Sequence, residues 1–246
     1  SFLSMISTTV QNALTVSMDA LIERTINNMI GCTLAKGIGS GTAGAITIDL
    51  KKTSPIAVNL LKLYNDSVPT AQAVKAANAL TDFHFLRFAV ATINQYQSRL
   101  TKISELFNVE GTKKFTPLAN QILLVHADLK SSADVIVQGD MQNPSYTSLS
   151  SNAEIMPYWQ GTGKDYAFSN TSKINVKTST GETIVAGGIV AVLADDRALG
   201  VSNLDQRVTT SNNARAEFYT NYYKNDAGFF NDLSQNGVVF FIGADA

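Results

Sequence analysis

The sequence predicts an α+β protein, on three observations. Helical periodicity fills residues 2–34 and returns at 81–108. A short apolar run, QILLVHA at 121–127, interrupts the helical pattern with a buried strand. After Pro144 the pattern turns to strands, loops and turns. Helices first and strands later is the order of an α+β class, not of an alternating α/β one. The 246 residues suffice for one large domain or two interlocked ones, with ample material for a core.

In the first segment apolar residues recur at Leu3, Ile6, Val10, Leu14, Met18, Leu21, Ile22, Ile26, Met29, Ile30 and Leu34, and no Pro or Gly intervenes before Gly31. A helix of about 32 residues spans roughly 48 Å. Three or four turns is the usual length in globular domains, so this helix must lie across a large sheet or along a shared surface. GIGSGTAGAITID, 37–49, reads as a Gly-rich loop leading into a short strand, and helices are expected at about 56–65 and 70–79, separated by NDSVP. In 81–108 the apolar positions are Leu86, Val90, Ile93, Tyr96, Leu100, Ile103 and Phe107, with Thr81 or Asp82 as N-cap. Asp128 is expected to cap a helix running to about Gly139. EIMPYWQGTG, the segment from YAFSNTSK to VLADD, and the tail from Arg207 supply the strands and turns. There is no internal repeat and no low-complexity linker.

Composition narrows the function classes. Charged residues make up 16% of the chain, against about 25% in typical domains. Ser, Thr and Asn fill the gap at roughly a quarter of the residues. Interface cores are depleted of Lys, Glu and Asp in this way, although a neutral Ser/Thr-rich soluble domain has the same composition. Net charge is −1 with no basic block, so any nucleic-acid contact is expected to be weak and diffuse. The single cysteine, Cys32, excludes an internal disulfide and a cysteine-built metal site. No apolar run reaches the ~18 residues of a membrane span. The start, SFLSMISTTV, has neither an initiator Met nor a charged n-region; it does not read as a signal peptide and predicts that the true beginning lies upstream.

The candidate chemical sites each carry a simpler structural reading. GSGTAG, Gly39 to Gly44, fits the spacing of a dinucleotide-binding loop, but that mechanism needs a strand before it and a helix after it, and here the order is reversed. A turn is the better reading. His84 and His126 lie 42 residues apart, without the spacing of a zinc helix, and His126 reads as a hydrogen-bonded structural histidine. Cys32 reads as a buried, inert thiol. Asp195 and Asp196 offer a carboxylate pair; the alternative is a strand end turning outward with Arg197 pairing one Asp, and no further ligand is near in sequence. The sequons at Asn65 and Asn170 mean little without a secretory signal, and Trp159 reads as a packed loop anchor. No catalytic, cofactor-binding or metal constellation remains, and an enzyme using Gly41 or Asp196 is the rival of another class. What does stand out is FYTNYYKNDAGFFND, 218–232, with Phe218, Tyr219, Tyr222, Tyr223, Phe229 and Phe230 among the chain's 21 aromatic residues. A strand places Phe218 and Tyr222 on one face and Tyr219 and Tyr223 on the other. One pair is expected to pack on the long helix, against residues such as Leu14 and Met18, and the other to face a neighbouring subunit or an extended loop missing from the sequence.

The tail 195–243, from DDRALGVSNLDQRV through FYTNYYKNDAGFF to VVFFIG, resembles the C-terminal region of major capsid proteins of tailed bacteriophages, the family with the Hong Kong 97 fold. HADLKSSADVIVQGD, IMPYWQGTGKDYAFSNTSKINVKT, DFHFLRFAV and ELFN are similar to the same group. The resemblance implies a peripheral domain made of a spine helix (1–35) and a β-hairpin (207–233), and an axial domain of a central sheet flanked by helices (36–206 and a returning strand in 234–246). It implies a non-enzymatic shell protein that self-assembles as pentamers and hexamers around double-stranded DNA. Scaffold, portal or decoration proteins are its implied partners, without membrane or cofactor, and it would be assembled in the host bacterial cytoplasm. The family's N-terminal arm and extended loop, which precede the spine helix, are not in the sequence, and no motif marks a covalent cross-link. An encapsulin-like bacterial shell protein of the same fold is the close alternative.

Overall fold

The computed structural model describes residues 2–41, 46–102, 114–137, 153–159, 172–178 and 181–244. It opens with α1, Phe2–Ile38, whose 37 residues make the expected long helix. Its two halves differ. Met5 to Arg24 contains no buried residue, whereas Thr25, Ile26, Met29, Ile30, Thr33, Leu34 and Ile38 are all buried. The helix therefore anchors by its C-terminal half and projects by its N-terminal half.

The anchor is a five-stranded mixed sheet in the order β3-β11-β8-β4-β5. Its strands are β3 (Ala57–Asn59), β4 (Gln121–His126), β5 (Ala153–Met156), β8 (Ile189–Asp195) and β11 (Gly237–Phe241). β11 and β8 are apolar at nearly every position because both sheet faces are covered. Alternate residues serve opposite layers. Leu123, Val125, Val238 and Phe240 pack with α2 (Leu60–Ser67), α3 (Phe83–Leu100) and α4 (Ala127–Ser132). Leu124, Val192, Val239 and Phe241 pack with the buried half of α1, with Trp159 and with a small hairpin of β6 (Ile174–Lys177) and β7 (Thr183–Ala186). The strand VVFFIG thus joins this sheet between β3 and β8.

Gly188 makes the β7–β8 turn possible. Its φ is +74°, and a Cβ there would overlap the Ile242 carbonyl oxygen. Backbone cannot swing aside as a side-chain end can. Gly188→Ala is expected to destabilise by about 2 kcal/mol, read as a lower urea midpoint at unchanged slope.

Four local expectations change. Residues 56–65 are not one helix: 57–59 form β3, pairing in parallel with β11, and α2 starts only at Leu60. Asn59 ends that strand and caps the helix, its side chain accepting from the Lys62 amide at 3.1 Å. Residues 70–79 form two short 3-10 segments, Thr70–Gln72 and Ala76–Thr81, instead of an α-helix. The helix after β4 is capped by His126, whose Nδ1 accepts from the Asp128 amide, and not by the Asp128 side chain. Its continuation from 138 to Gly139, together with Ile103, Phe107 and the ELFN turn, lies outside the described residues. Asp82 does cap α3, accepting from the Phe85 amide at 2.8 Å.

The fourth change concerns the tail. β9 (Leu199–Asn213) and β10 (Phe218–Asn231) form a two-stranded antiparallel hairpin that starts at Leu199, not at 207. Between Asp205 and Asn203 the register skips Leu204, a bulge that adds twist. The hairpin's polar first strand has no apolar alternation to mark it, so periodicity places its start too late.

Candidate interaction surface

The hairpin projects from the sheet, and α1 contacts both of its strands. At ~3.4 Å per residue, fourteen residues of β10 reach roughly 45 Å. At its root, Asn231 Nδ2 donates to the Thr25 carbonyl of α1 at 2.9 Å. From Gln206 to the tip no residue of β9 is even half-buried.

All six predicted rings lie on this element, three to a face: Phe218, Tyr222 and Phe230 on one, Tyr219, Tyr223 and Phe229 on the other. None is buried within the chain. Their exposure runs from 37% at Tyr223 to 70% at Tyr219. Leu14 and Met18 are half-buried on α1, but no pair of rings is buried beneath that helix. A single helix covers too narrow a strip to bury rings on both sides of a ribbon. Phe230 does cover its cross-strand neighbour Gly200, where a Cβ would overlap the ring.

Between Tyr222 and Phe230 the same face holds four charges. Lys224 Nζ lies 3.2 Å from Asp205 and 2.6 Å from Asp226, and Arg207 lies 3.6 Å from Asp205. Hydrogen bonds from Lys224 to Asp226 and Asp205 raise its pKa. The surface thus presents rings and self-paired ions and no block of one sign.

The hairpin is fastened to the sheet by a collar of polar side chains. Asp195 ends β8 and is 3% exposed. Its Oδ2 accepts from the Thr116 hydroxyl at 2.7 Å and its Oδ1 from the Arg197 amide at 3.0 Å. Asn236, just before β11, donates to the same Thr116 hydroxyl at 3.1 Å, and its carbonyl accepts from the Asp195 amide. Gln121 holds the Thr116 carbonyl from the other side at 3.0 Å. Burial pushes the Asp195 carboxyl up, but the hydrogen bonds from Thr116, Arg197 and Asp196, with the Arg197 charge, outweigh it and leave the group below the usual range. On the returning side, Asp232 accepts from the Ser234 hydroxyl and amide and from Gln235, which lowers its pKa to about 2.

Both carboxylates therefore have folded pKa values below their unfolded ones. The stability Asp232 contributes is fully present above about pH 4 and is lost as pH falls toward 2, and that of Asp195 is lost in the same direction as its carboxylate protonates. Asp232→Asn is expected to lower the urea midpoint at pH 6 and to remove part of the fall seen between about pH 4 and pH 2.5 in the unsubstituted protein.

The other sequence candidates fall elsewhere and do not converge. Gly39–Ser40 (β1) pairs with Thr47–Ile48 (β2) as a small hairpin after a helix, the reverse of a phosphate loop; Thr42 to Ala45, with Gly44 among them, lie outside the described residues. Arg197 lies 3.7 Å from both Asp195 and Asp196, and Asp195 is a structural hydrogen-bond acceptor. His126 is buried beside Trp159, and the Trp159 indole donates to the Ile189 carbonyl at 2.9 Å. His84 stacks edgewise on Phe83. Cys32 is half-buried in α1, where burial raises its pKa. Asn170 lies outside the described residues. Among the described residues no three His, Cys, Asp or Glu side chains could share a metal ion, and no helix is long and apolar enough to cross a membrane.

The collar is not visible in the sequence, because Thr116 and Asp195 stand 79 positions apart. Comparison with known proteins gives one family. The model described as "Phi29-like phage major capsid protein" matches residues 1–241. No curated protein matches. Among solved structures, a chain of the capsid structure of Staphylococcus phage Andhra is 10% identical at a TM-score of 0.35, the match covering 64% of this chain and 52% of that one. This chain therefore spans about half the length of that capsid chain, a likeness too distant to fix the fold.

Proposed function

The chain belongs to the Phi29-like phage major capsid protein family, and from that premise we propose that its copies build, as pentamers and hexamers, the icosahedral shell that encloses a double-stranded DNA genome. The observation that carries this reading is the projecting hairpin with six exposed rings on two faces. A sheet serving only its own core is polar on its second face. Here both faces present aromatic surface, which suits a strand covered by different neighbours. Tyrosines fit such positions because the ring packs while the hydroxyl keeps a polar partner.

The mechanism is burial and shape, not catalysis. Each contact needs only modest net energy, because every copy touches several others. A net charge of −1 avoids the repulsion that hundreds of like-charged copies would build up. The Hong Kong 97 layout is part of the proposal: α1 as spine helix and β9–β10 as the peripheral hairpin, with the five-stranded sheet and its flanking helices as the axial domain. The continuous α1 and the return of the chain through β11 support it. Phage partners such as scaffold, portal or decoration proteins, weak non-specific contact with packaged DNA, and assembly in the host cytoplasm belong to the same reading. The match to a phage capsid family leaves the encapsulin alternative without support of its own.

Expressing the full-length chain, with any scaffold supplied, and examining it by sedimentation and negative-stain electron microscopy tests this. Closed particles of uniform size are expected. A strictly monomeric product at high concentration would overturn it.

A further inference from the structure

A second surface lies beside the hairpin root. A groove of about 690 Å³ runs between α1 and the β6 strand, lined by Val16, Asp19, Glu23, Arg24, Asn27, Tyr158 and Lys177 among others. Its α1 wall follows helical spacing from Val16 to Asn28. Val16 is 67% exposed, and Asn27 is 7% exposed with a carbonyl oxygen that has no hydrogen-bond partner. A buried acceptor without a donor is unfavourable, and a ligand that supplies the donor relieves it.

We propose that this groove receives the hairpin tip of a second copy. The tip is residues 213–218, Asn213-Ala-Arg-Ala-Glu-Phe218. It is narrow, because Ala214 and Ala216 are small, and its shape is fixed: the Asn213 side chain accepts from the Arg215 and Ala216 amides, and Glu217 is held at φ 54°. It carries one cation, Arg215, and one anion, Glu217, against two acids, Asp19 and Glu23, and two bases, Arg24 and Lys177, in the groove.

Reach decides which copy occupies the groove. The hairpin root is bonded to Thr25, beside the groove. The tip stands roughly 45 Å from that root along the strand. Val16 is only about 14 Å from Thr25 along the helix. A chain's own tip therefore cannot enter its own groove. Tip and groove are different surfaces, so the contact is head-to-tail, and repeated contacts of that kind form rings where the rotation between copies closes. This is the type of interface pentamers and hexamers require, and the inference rests on the shell reading above.

Two variants in a Cys32→Ala background, Ala214→Cys and Val16→Cys, test it. Each is assembled alone and mixed with the other, then treated with a short bis-maleimide. Covalent dimers are expected from the mixture and not from either variant alone. Arg215→Glu should raise the concentration needed for assembly by about tenfold or more, the loss of one charge-assisted contact per interface, while far-UV circular dichroism stays unchanged. If the unsubstituted chain forms shells but the mixture gives no cross-link, or if Ala214→Cys cross-links only to itself, the groove has another occupant and the proposal is overturned. If the unsubstituted chain forms no shell at all, the reading beneath it falls too.

Discussion

Serine at Tyr222, Tyr223, Phe229 and Phe230 together abolishes shell formation and leaves the subunit folded. All four rings are more than a third exposed, so little of the isolated chain's stability rests on them. Exposed substitutions typically change stability by about 0.5 kcal/mol or less each. Their value lies in the area still open to a neighbour. An aromatic residue buries about 150–250 Å² when fully covered, so four half-exposed rings leave on the order of 400 Å² available. At ~25 cal/mol per Å² that is roughly 10 kcal/mol of gross transfer energy per subunit. Ordering costs reduce it, but each missing contact is repeated around the whole shell. The expected result is a soluble subunit with unchanged circular dichroism and a thermal midpoint within a few degrees, sedimenting without particles. Shells at the unsubstituted threshold concentration would show that the rings do not drive assembly.

The second large effect is on stability. Asp195→Ala is expected to cost about 3 kcal/mol, because it leaves the Thr116 hydroxyl and the Arg197 amide without their charged acceptor in a buried collar. Asp195→Asn keeps a side-chain oxygen for one of those donors and should cost about 1 kcal/mol. Denaturant titration at neutral pH distinguishes the two. The collar also sets how the hairpin leaves the sheet, since it ties the outgoing residues 195–198 to the returning residues 232–236. Asp195→Ala should therefore impair assembly even below its own unfolding midpoint. An alanine variant as stable as the asparagine one would show that the hydrogen bonds of Asp195 carry no net energy.

Much of this structure is legible from local pattern alone. The three-and-four spacing of α1, the apolar run of β4, the Asp82 cap and the ring alternation of β10 all depend on neighbours within a few residues. The failures share a different cause. β3 is a strand only because β11, some 180 positions later, pairs with it. Without that partner, IAVNLLKLYN reads as a helix. His126 displaces Asp128 as cap because the burial of the imidazole beside Trp159 brings Nδ1 onto the amide. The hairpin's first strand, LGVSNLDQRVTTSNN, has only Leu199, Val201, Leu204 and Val208 as apolar side chains, at no sustained spacing, and gives no clear periodic signal. The collar joins Thr116, Asp195 and Asn236 from three distant segments, and its residue types are ordinary one at a time. The groove is similar: helical spacing in α1 suggests a covered stripe, but only the tertiary fold shows that part of it stays open.

Electron cryomicroscopy of particles assembled from the full-length chain tests the central claim most directly. The account predicts a closed shell in which Tyr219, Tyr222, Tyr223 and Phe230 of every copy lie against a neighbouring copy. A shell that leaves those rings facing solvent, with subunits joined through the outer surfaces of α2 and α3 instead, would contradict it.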